Sequence, residues 1–322
     1  MPPMLVRMQT RIAGPYDMAR QNEYFGGWVR PADDPRSIVM AFPVEGWTHS
    51  AAVVLRQHAG TATVSGEVYG SGAGEAAWRQ ALAALSLDED GSGFPRVGEA
   101  DPVIGALQAE HAYLRPVLFH SPYEAACAFV IAHRMRIEQG RAIRARIAAL
   151  CGEPFEVPGA TVHAFPSPQV LRRQASLPGV DAEKLSRLHG IADAALDGRL
   201  DRARLRAMPV AEAYADVKRL RGIGDFFATA IVLRGAGRTD ALPDEPITRA
   251  GIRRLYALPH DPSPADLARI SAPWAPYRMW CSVLIHATQR RWRAAGGAQR
   301  SPQSAPRHRP PVRTSSSSHS ST

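Results

Sequence analysis

Past Asp101 the apolar residues stop alternating and recur at three- to four-residue spacing. That change of period limits the chain to a small mixed domain followed by a helical one. Before it, 37–44 (SIVMAFPV), 51–57 (AAVVLRQ) and 61–70 (TATVSGEVYG) predict strands, because β-branched residues alternate or cluster between turn residues. The stretch 74–87 (GEAAWRQALAALSL) predicts an amphipathic helix, and the acidic, Gly-rich, Pro-bounded 88–102 predicts a linker. Beyond it, 124–152 carries apolar residues at helical spacing with arginines between them, and Gly152 to cap its end. Further helices are expected within 167–174, 181–196, 210–220, 226–237, 247–258, 263–272 and 276–293, with strand patterns essentially absent. The expected class is α+β: an N-terminal mixed α/β domain with its linker over 1–100 and an all-helical domain over 101–293. A disordered Pro/Arg/Ser-rich tail over 294–322 follows.

With 322 residues, 45% hydrophobic and 21% charged, the chain is long enough to bury the cores of two soluble domains. Its net charge of +9 favours a polyanionic partner, because cations placed on phosphates release condensed counterions. Cys127, Cys151 and Cys281 are too scattered for a disulfide framework or a metal knuckle. No apolar run has the length of a signal peptide or a membrane span, so a cytoplasmic protein without membrane partners is expected.

The most informative short segment is 218–228, KRLRGIGDFFA. A helix should end at Leu220, a Gly222-Ile223-Gly224 turn should follow, and a second helix should begin at once. Glycines tolerate positive φ and let a ligand approach the backbone closely. The free amides at the new helix start then suit a phosphate oxygen. Leu220 and Ile223 can anchor the turn, while Lys218, Arg219 and Arg221 flank it with positive charge. Asp225 is discordant, a carboxylate beside the anion site, unless it caps the helix. The plain alternative is a Gly-containing connection between packed helices.

The segment 220–256, LRGIGDFFATAIVLRGAGRTDALPDEPITRAGIRRLY, resembles the signature of the helix-hairpin-helix-GPD DNA glycosylase superfamily. Other pieces agree in order. LRPVLFHSPYEAACAFVIAHR (114–134) resembles the early helix of that domain, HAFPSPQVL (163–171) the loop after it, and APWAPYRMWCSVLIHA (272–287) the closing segment. Within the superfamily the chain is most similar to the bacterial 3-methyladenine DNA glycosylase II type, whose opening GPYDMARQNEYFGG (14–27) resembles. No set of closely spaced cysteines follows the last helices, so the iron–sulfur cluster of a related branch is not expected, nor any other cofactor. Strand-cutting members carry a Schiff-base lysine two residues after the second hairpin glycine. Phe226 stands there, so the resemblance implies a monofunctional enzyme.

The family places its catalytic Asp at a helix start after a Gly/Pro-rich loop, which here reads DALPDEPITR over 240–249. Pro246 suits the first helical position and pushes its predecessor out of the helical region, which puts Glu245 in the cap slot. Asp244 has the family's chemical type, and counting back from Ile247 permits it as well, so spacing leaves both open. Either carboxylate could stabilise an oxocarbenium-like state or activate water, or merely cap the helix. The resemblance places Tyr24, Phe226, Ala230 and His286 around an everted base, where the family has mostly aromatics. Tyr24 and Phe226 keep stacking surface for electron-poor alkylated bases, Ala230 enlarges the space and His286 adds a polar edge. Ordinary core packing is the other account of all four.

Arg134 and Met135 fall where the family inserts a wedge into the gap left by the flipped nucleotide. Trp274 and Arg278 are expected to be structural, closing the bundle against the hairpin. The resemblance thus implies a monomeric, nucleoid-associated enzyme of base excision repair that removes 3-methyladenine-type bases from double-stranded DNA. The alternative is a non-catalytic DNA- or lesion-binding protein on the same fold that has lost the family's Asp. A helical protein–protein adaptor is a third reading.

Overall fold

The computed structural model describes residues 4–25, 30, 34–72 and 74–298. Strand β1 (Met4–Arg11) and helix α1 (Met18–Phe25) precede β2 (Ser37–Pro43), β3 (Ser50–Gln57), β4 (Thr63–Gly70) and α2 (Gly74–Ala84). The four strands form one antiparallel sheet in the order β1-β4-β3-β2. Alternation then sorts the side chains. Ile38, Met40, Phe42, Val53 and Leu55 face one way and pack on Trp78, Ala81 and Leu85 of α2 and the turn after it. Val39, Ala52 and Val54 face the other way, and what covers them comes from the second half of the chain.

That cover corrects the expectation of an all-helical second half. β5 (Pro154–Val157) and β6 (Ala160–His163) form a hairpin turned at Pro158-Gly159, with Gly159 at φ +82°. Phe155, Val157 and Ala164 lie against Val39, Ala52 and Val54 on the outer face of the sheet. Two four-residue strands are too short to be stable alone, so burial against the sheet sustains them. A second correction concerns 88–102, which is not a linker. Phe94–Ala100 is helix α3, and its Phe94 and Val97 are buried with Ile104, Trp274, Trp280 and Leu284 in the core of the second half. Pro95 in the first turn starts that helix, because a missing N–H costs nothing there.

The remaining helices are α4 (Pro102–His111), α5 (Pro122–Ala132), α6 (Ile137–Cys151), α7 (Pro168–Arg172), α8 (Ala182–Leu196), α9 (Arg202–Ala207) and α10 (Val210–Lys218). They are followed by α11 (Asp225–Ala230), α12 (Pro246–Leu255), α13 (Pro264–Ser271) and α14 (Arg278–Ala298). Sequence dictates many of the starts. Asp101, Ser121, Ser167, Asp181, Asp201 and Ser263 each accept from a backbone amide of the first turn, and proline follows in α4, α5, α7 and α13. The amphipathic stretch 124–152 is divided between α5 and α6, and α14 extends to Ala298, past the expected tail boundary. The rest of that tail lies outside the described residues.

Two buried polar groups join these layers. Arg115, fully buried, donates to the carbonyls of Ala13, Pro15, Ser86 and Glu89 and lies 4.7 Å from the Trp280 ring, so one guanidinium ties the N-terminal part to α14. Asp101 caps α4 and also accepts from Trp274 Nε1 at 2.8 Å and Tyr256 Oη at 2.5 Å. Among the described residues no helix is long and apolar enough to cross a membrane.

Candidate functional site

The hairpin joins α10 to α11. Leu220 and Ile223 are buried, whereas Arg221, Gly222 and Gly224 reach solvent. Gly222 holds φ +84°, a conformation in which a side chain is strained. Gly224, not Asp225, is the N-cap residue, and its extended backbone leaves open space where a Cβ would stand. Asp225 is instead paired with Lys218 at 2.5 Å, so its charge is compensated beside the turn. Among the described backbone bonds the amides of Gly224, Asp225, Phe226 and Phe227 have no acceptor, which leaves donors free for an anion.

The loop before α12 separates the two candidate carboxylates. Asp244 is held by both arms of Arg249, with Nε–Oδ1 at 2.6 Å and an Nη–Oδ2 contact at 2.7 Å. Glu245 occupies the N-cap position of α12 yet accepts no capping bond. Its carboxylate, 29% exposed, lies 3.2 Å from Nε2 of His286 on α14. That nitrogen is also 3.0 Å from Thr248 Oγ1, which is 3.3 Å from Ser282 Oγ, and both hydroxyls are buried. Burial pushes the Glu245 carboxyl above the ordinary glutamate value, and the Arg234 guanidinium pulls it back.

His286 is pushed down to about 4, first by burial and then by Arg234. The neighbouring carboxylate would favour an imidazolium. With its own carboxyl pushed up and the same nitrogen shared with Thr248, we take His286 as neutral near pH 7. A histidine depressed in the folded state binds fewer protons there than when unfolded. Its contribution to stability is therefore present above about 6.5 and lost as pH falls towards 4, by at most about 3 kcal/mol. His286→Gln is expected to flatten the denaturation midpoint over that window relative to the parent.

Arg234 was not singled out in the sequence, although a lone cation inside the apolar run AIVLRGAG is a signal. It is presented by a π-helical turn, Ile231–Gly235, that continues α11, and such turns concentrate at functional positions. Its guanidinium lies 5.4 Å from the Phe119 ring. From Phe119 an aromatic row runs to Phe129 (5.5 Å), stacks on Phe227 (5.4 Å) and reaches Phe226 (5.8 Å), which is 61% exposed beside the hairpin. Phe226 and Ala230 share a face of α11 by their spacing. Tyr24 is half-buried under Arg290, one turn along α14 from His286, and its carbonyl accepts from Arg290 at 2.7 Å. Among the described ring contacts none joins Tyr24 to Phe226.

Arg134 and Met135 form the exposed turn between α5 and α6, with Arg134 at φ +59°. Lys184 holds that turn by donating to the carbonyls of Ile131 (3.0 Å) and His133 (3.2 Å), and His133 meets the edge of Phe227. Trp274 is fully buried. Arg278 donates to Ser271 O at 3.1 Å and Asp240 Oδ1 at 2.6 Å. It thus fastens α14 to the loop that carries Glu245 rather than to the hairpin, a correction to the expected contact. Among the described residues no group of three or more His, Cys, Asp or Glu is placed to hold a metal ion.

No family profile matches the chain. A DNA-3-methyladenine glycosylase from Bacillus subtilis is 24% identical over 206 residues, which cover 62% of this chain and 68% of that protein. Among solved structures, the 3-methyladenine DNA-glycosylase from Archaeoglobus fulgidus has a TM-score of 0.68 at 17% identity, over 87% of this chain and 96% of its own. The 8-oxoguanine glycosylase/lyase of Clostridium acetobutylicum, in complex with dsDNA containing cytosine opposite 8-oxoG, has a TM-score of 0.64 at 15% identity, over 91% and 100%. These likenesses define the class by fold, a sheet-bearing helix-hairpin-helix protein. The Bacillus relative, a DNA-3-methyladenine glycosylase, and the two solved glycosylases are thus what this chain resembles in sequence and in fold.

Proposed function

We propose that the protein is a monofunctional N-glycosylase that removes an alkylated base from duplex DNA, with Glu245 as the carboxylate facing the reacting sugar. The observation that carries this reading is the different fate of the two acids. Arg249 neutralises Asp244, while Glu245 sits at a helix start without capping it, half-buried between His286 and Arg234. In the reaction the bond from C1′ to the base nitrogen breaks and its electron pair leaves with the base. The ionised Glu245 stabilises the cation that develops on the sugar, water adds at C1′, and a proton is released. Phe226 offers a stacking face next to the hairpin and no amine, so no imine forms and the strand stays intact.

The test is an excision assay on a panel of damaged duplexes. Release of an alkylated purine by the parent chain, lost in Glu245→Gln, is the expected result. Tight binding to abasic-analogue DNA with no turnover on any lesion would favour the non-catalytic alternative.

Duplex binding should weaken steeply as salt rises, because phosphate contacts release counterions. Gly224→Ala separates binding from folding. The added methyl meets nothing within 4 Å, so the melting temperature should hold. The same methyl stands where a phosphate would approach, and affinity is expected to fall roughly five- to tenfold in a filter-binding or anisotropy titration. Unchanged affinity would remove the hairpin from the interface.

A further inference from the structure

We infer that Arg234 and Arg141 form an anion site beside Glu245, which takes a backbone phosphate flanking the sugar that this carboxylate faces. This rests on the proposed role of Glu245 and adds a second grip on the strand, apart from the hairpin amides.

Two guanidiniums approach the Phe119 ring, Arg234 from the π-helical turn at 5.4 Å and Arg144 from α6 at 5.5 Å. Close packing brings these elements together. A Cβ on Gly235 would stand 2.8 Å from Pro122 Cα, and one on Gly140 would stand 2.7 Å from Ala132 Cβ, so the π-helical turn and α6 both press on α5. Arg141 lies one turn before Arg144 on α6 and shares its face by that spacing. The acids nearby do not balance these cations. Arg144 is bound to buried Glu124, whose other oxygen is 2.7 Å from His120 Nδ1, so that carboxylate is already used. Arg249 and Arg278 are likewise matched, with Asp244 and Asp240. Arg234 and Arg141 are both exposed, and among the described residues neither guanidinium makes an ion pair or a hydrogen bond. Protein nonetheless crowds Arg234 enough to weaken its hold on the proton, an effect that Glu245 opposes and Arg141 adds to. Burial raises the Glu245 carboxyl and Arg234 pulls it back, so each of the two feels the other's charge. Like charges held in one recess without a counter-charge are stabilised by an anion. Of the anions on a duplex, the phosphates attached to the everted sugar come nearest to a carboxylate that faces C1′. The planar fork of a guanidinium matches two phosphate oxygens.

The experiment uses the full chain and duplexes carrying a tetrahydrofuran abasic analogue, with either flanking phosphate replaced by an uncharged methylphosphonate. Affinity is read by fluorescence anisotropy. Arg234→Met and Arg141→Met keep an aliphatic stem at exposed positions, so the melting temperature should hold. Arg234→Met is expected to weaken binding about tenfold and Arg141→Met about three- to tenfold, each lowering the slope of log affinity against log salt by about one. One of the two methylphosphonates should weaken binding by the parent about tenfold. The same substitution should cost Arg234→Met less than about twofold, because the charge it would meet is already gone. Losses that simply multiply at both phosphates, or an unchanged salt slope, would overturn the proposal.

An Arg234→Met variant that binds as the parent does, but changes its ranking of a cationic N-methylated purine against an uncharged lesion, would also overturn it. The guanidinium would then be reading the charge of the base and not a phosphate. These readouts do not depend on turnover. A Glu245→Gln variant that excises at full rate while the methylphosphonate coupling persists would sink the catalytic role of Glu245 and leave the anion site standing. A parent chain that binds no abasic-analogue duplex would overturn both.

Discussion

Glu245→Gln is expected to lower base excision by about a hundredfold or more while duplex affinity and melting temperature stay close to parental. The substitution keeps the shape and one acceptor oxygen but removes the negative charge that would face the developing cation, and electrostatic contributions of this kind are worth on the order of a hundred- to a thousandfold. Asp244→Asn serves as the control. Its carboxylate is spent on Arg249, so losing it should loosen the start of α12 slightly and leave the rate within a few-fold. If Asp244→Asn proves the inactive variant, the assignment of the two acids is reversed.

The pH dependence follows from the same surroundings. In the proposed reaction Glu245 acts in its ionised form, and burial raises its carboxyl above the ordinary range. Excision should therefore fade on acidification earlier than for an exposed glutamate. Arg234→Met should move that acidic limb to still higher pH, since the guanidinium is the charge that opposes the effect of burial. An acidic limb that stays put in Arg234→Met would disconnect the π-helical turn from the site.

The largest expected loss of stability comes from Trp274→Ala. Trp274 is fully buried among Phe94, Ile104, Leu284 and Ile252, and removing so large a side chain costs about 3–5 kcal/mol. The indole N–H is also one of the donors that satisfy buried Asp101, so a further ~1–3 kcal/mol is lost through that carboxylate. The sum approaches the whole stability of an ordinary domain, and the variant should be largely unfolded at 37 °C. Trp274→Phe separates the two contributions. It keeps most of the volume, so its shift in urea midpoint should report chiefly the missing donor. A Trp274→Phe variant as stable as the parent would mean that Asp101 gains nothing from the indole.

Parts of this architecture are legible in the residues, and the physics explains which. β2, β3 and β4 are visible because β-branched side chains recur between turn residues, and most helices of the second half announce themselves by period and by Ser, Asp and Pro at their starts. β1 escapes notice because Met4–Arg11 mixes apolar and polar residues at the sheet edge. β5 and β6 escape it because four residues hold too little periodicity, and the force that keeps them extended lies on the far side of a sheet formed much earlier in the chain. The stretch around Phe94 looks like a linker by its Gly, Asp and Pro content, whereas two buried side chains are enough to fold it as α3.

At the candidate site, sequence offers two neighbouring carboxylates, Asp244 and Glu245, and goes no further. What separates them is the capture of Asp244 by Arg249, a side-chain choice that no spacing rule encodes. The approach of His286 to Glu245 is a tertiary event between α14 and the α12 loop, invisible in either segment alone.

The β5–β6 hairpin has a consequence for how the molecule can be divided. Phe155 and Val157 would meet water if the first 87 residues were removed, leaving a sticky two-stranded flap on an otherwise folded helical unit. The amino-terminal sheet is in this sense a lid for its own partner. A fragment cut at the apparent boundary would trade a buried seam for a surface that invites aggregation.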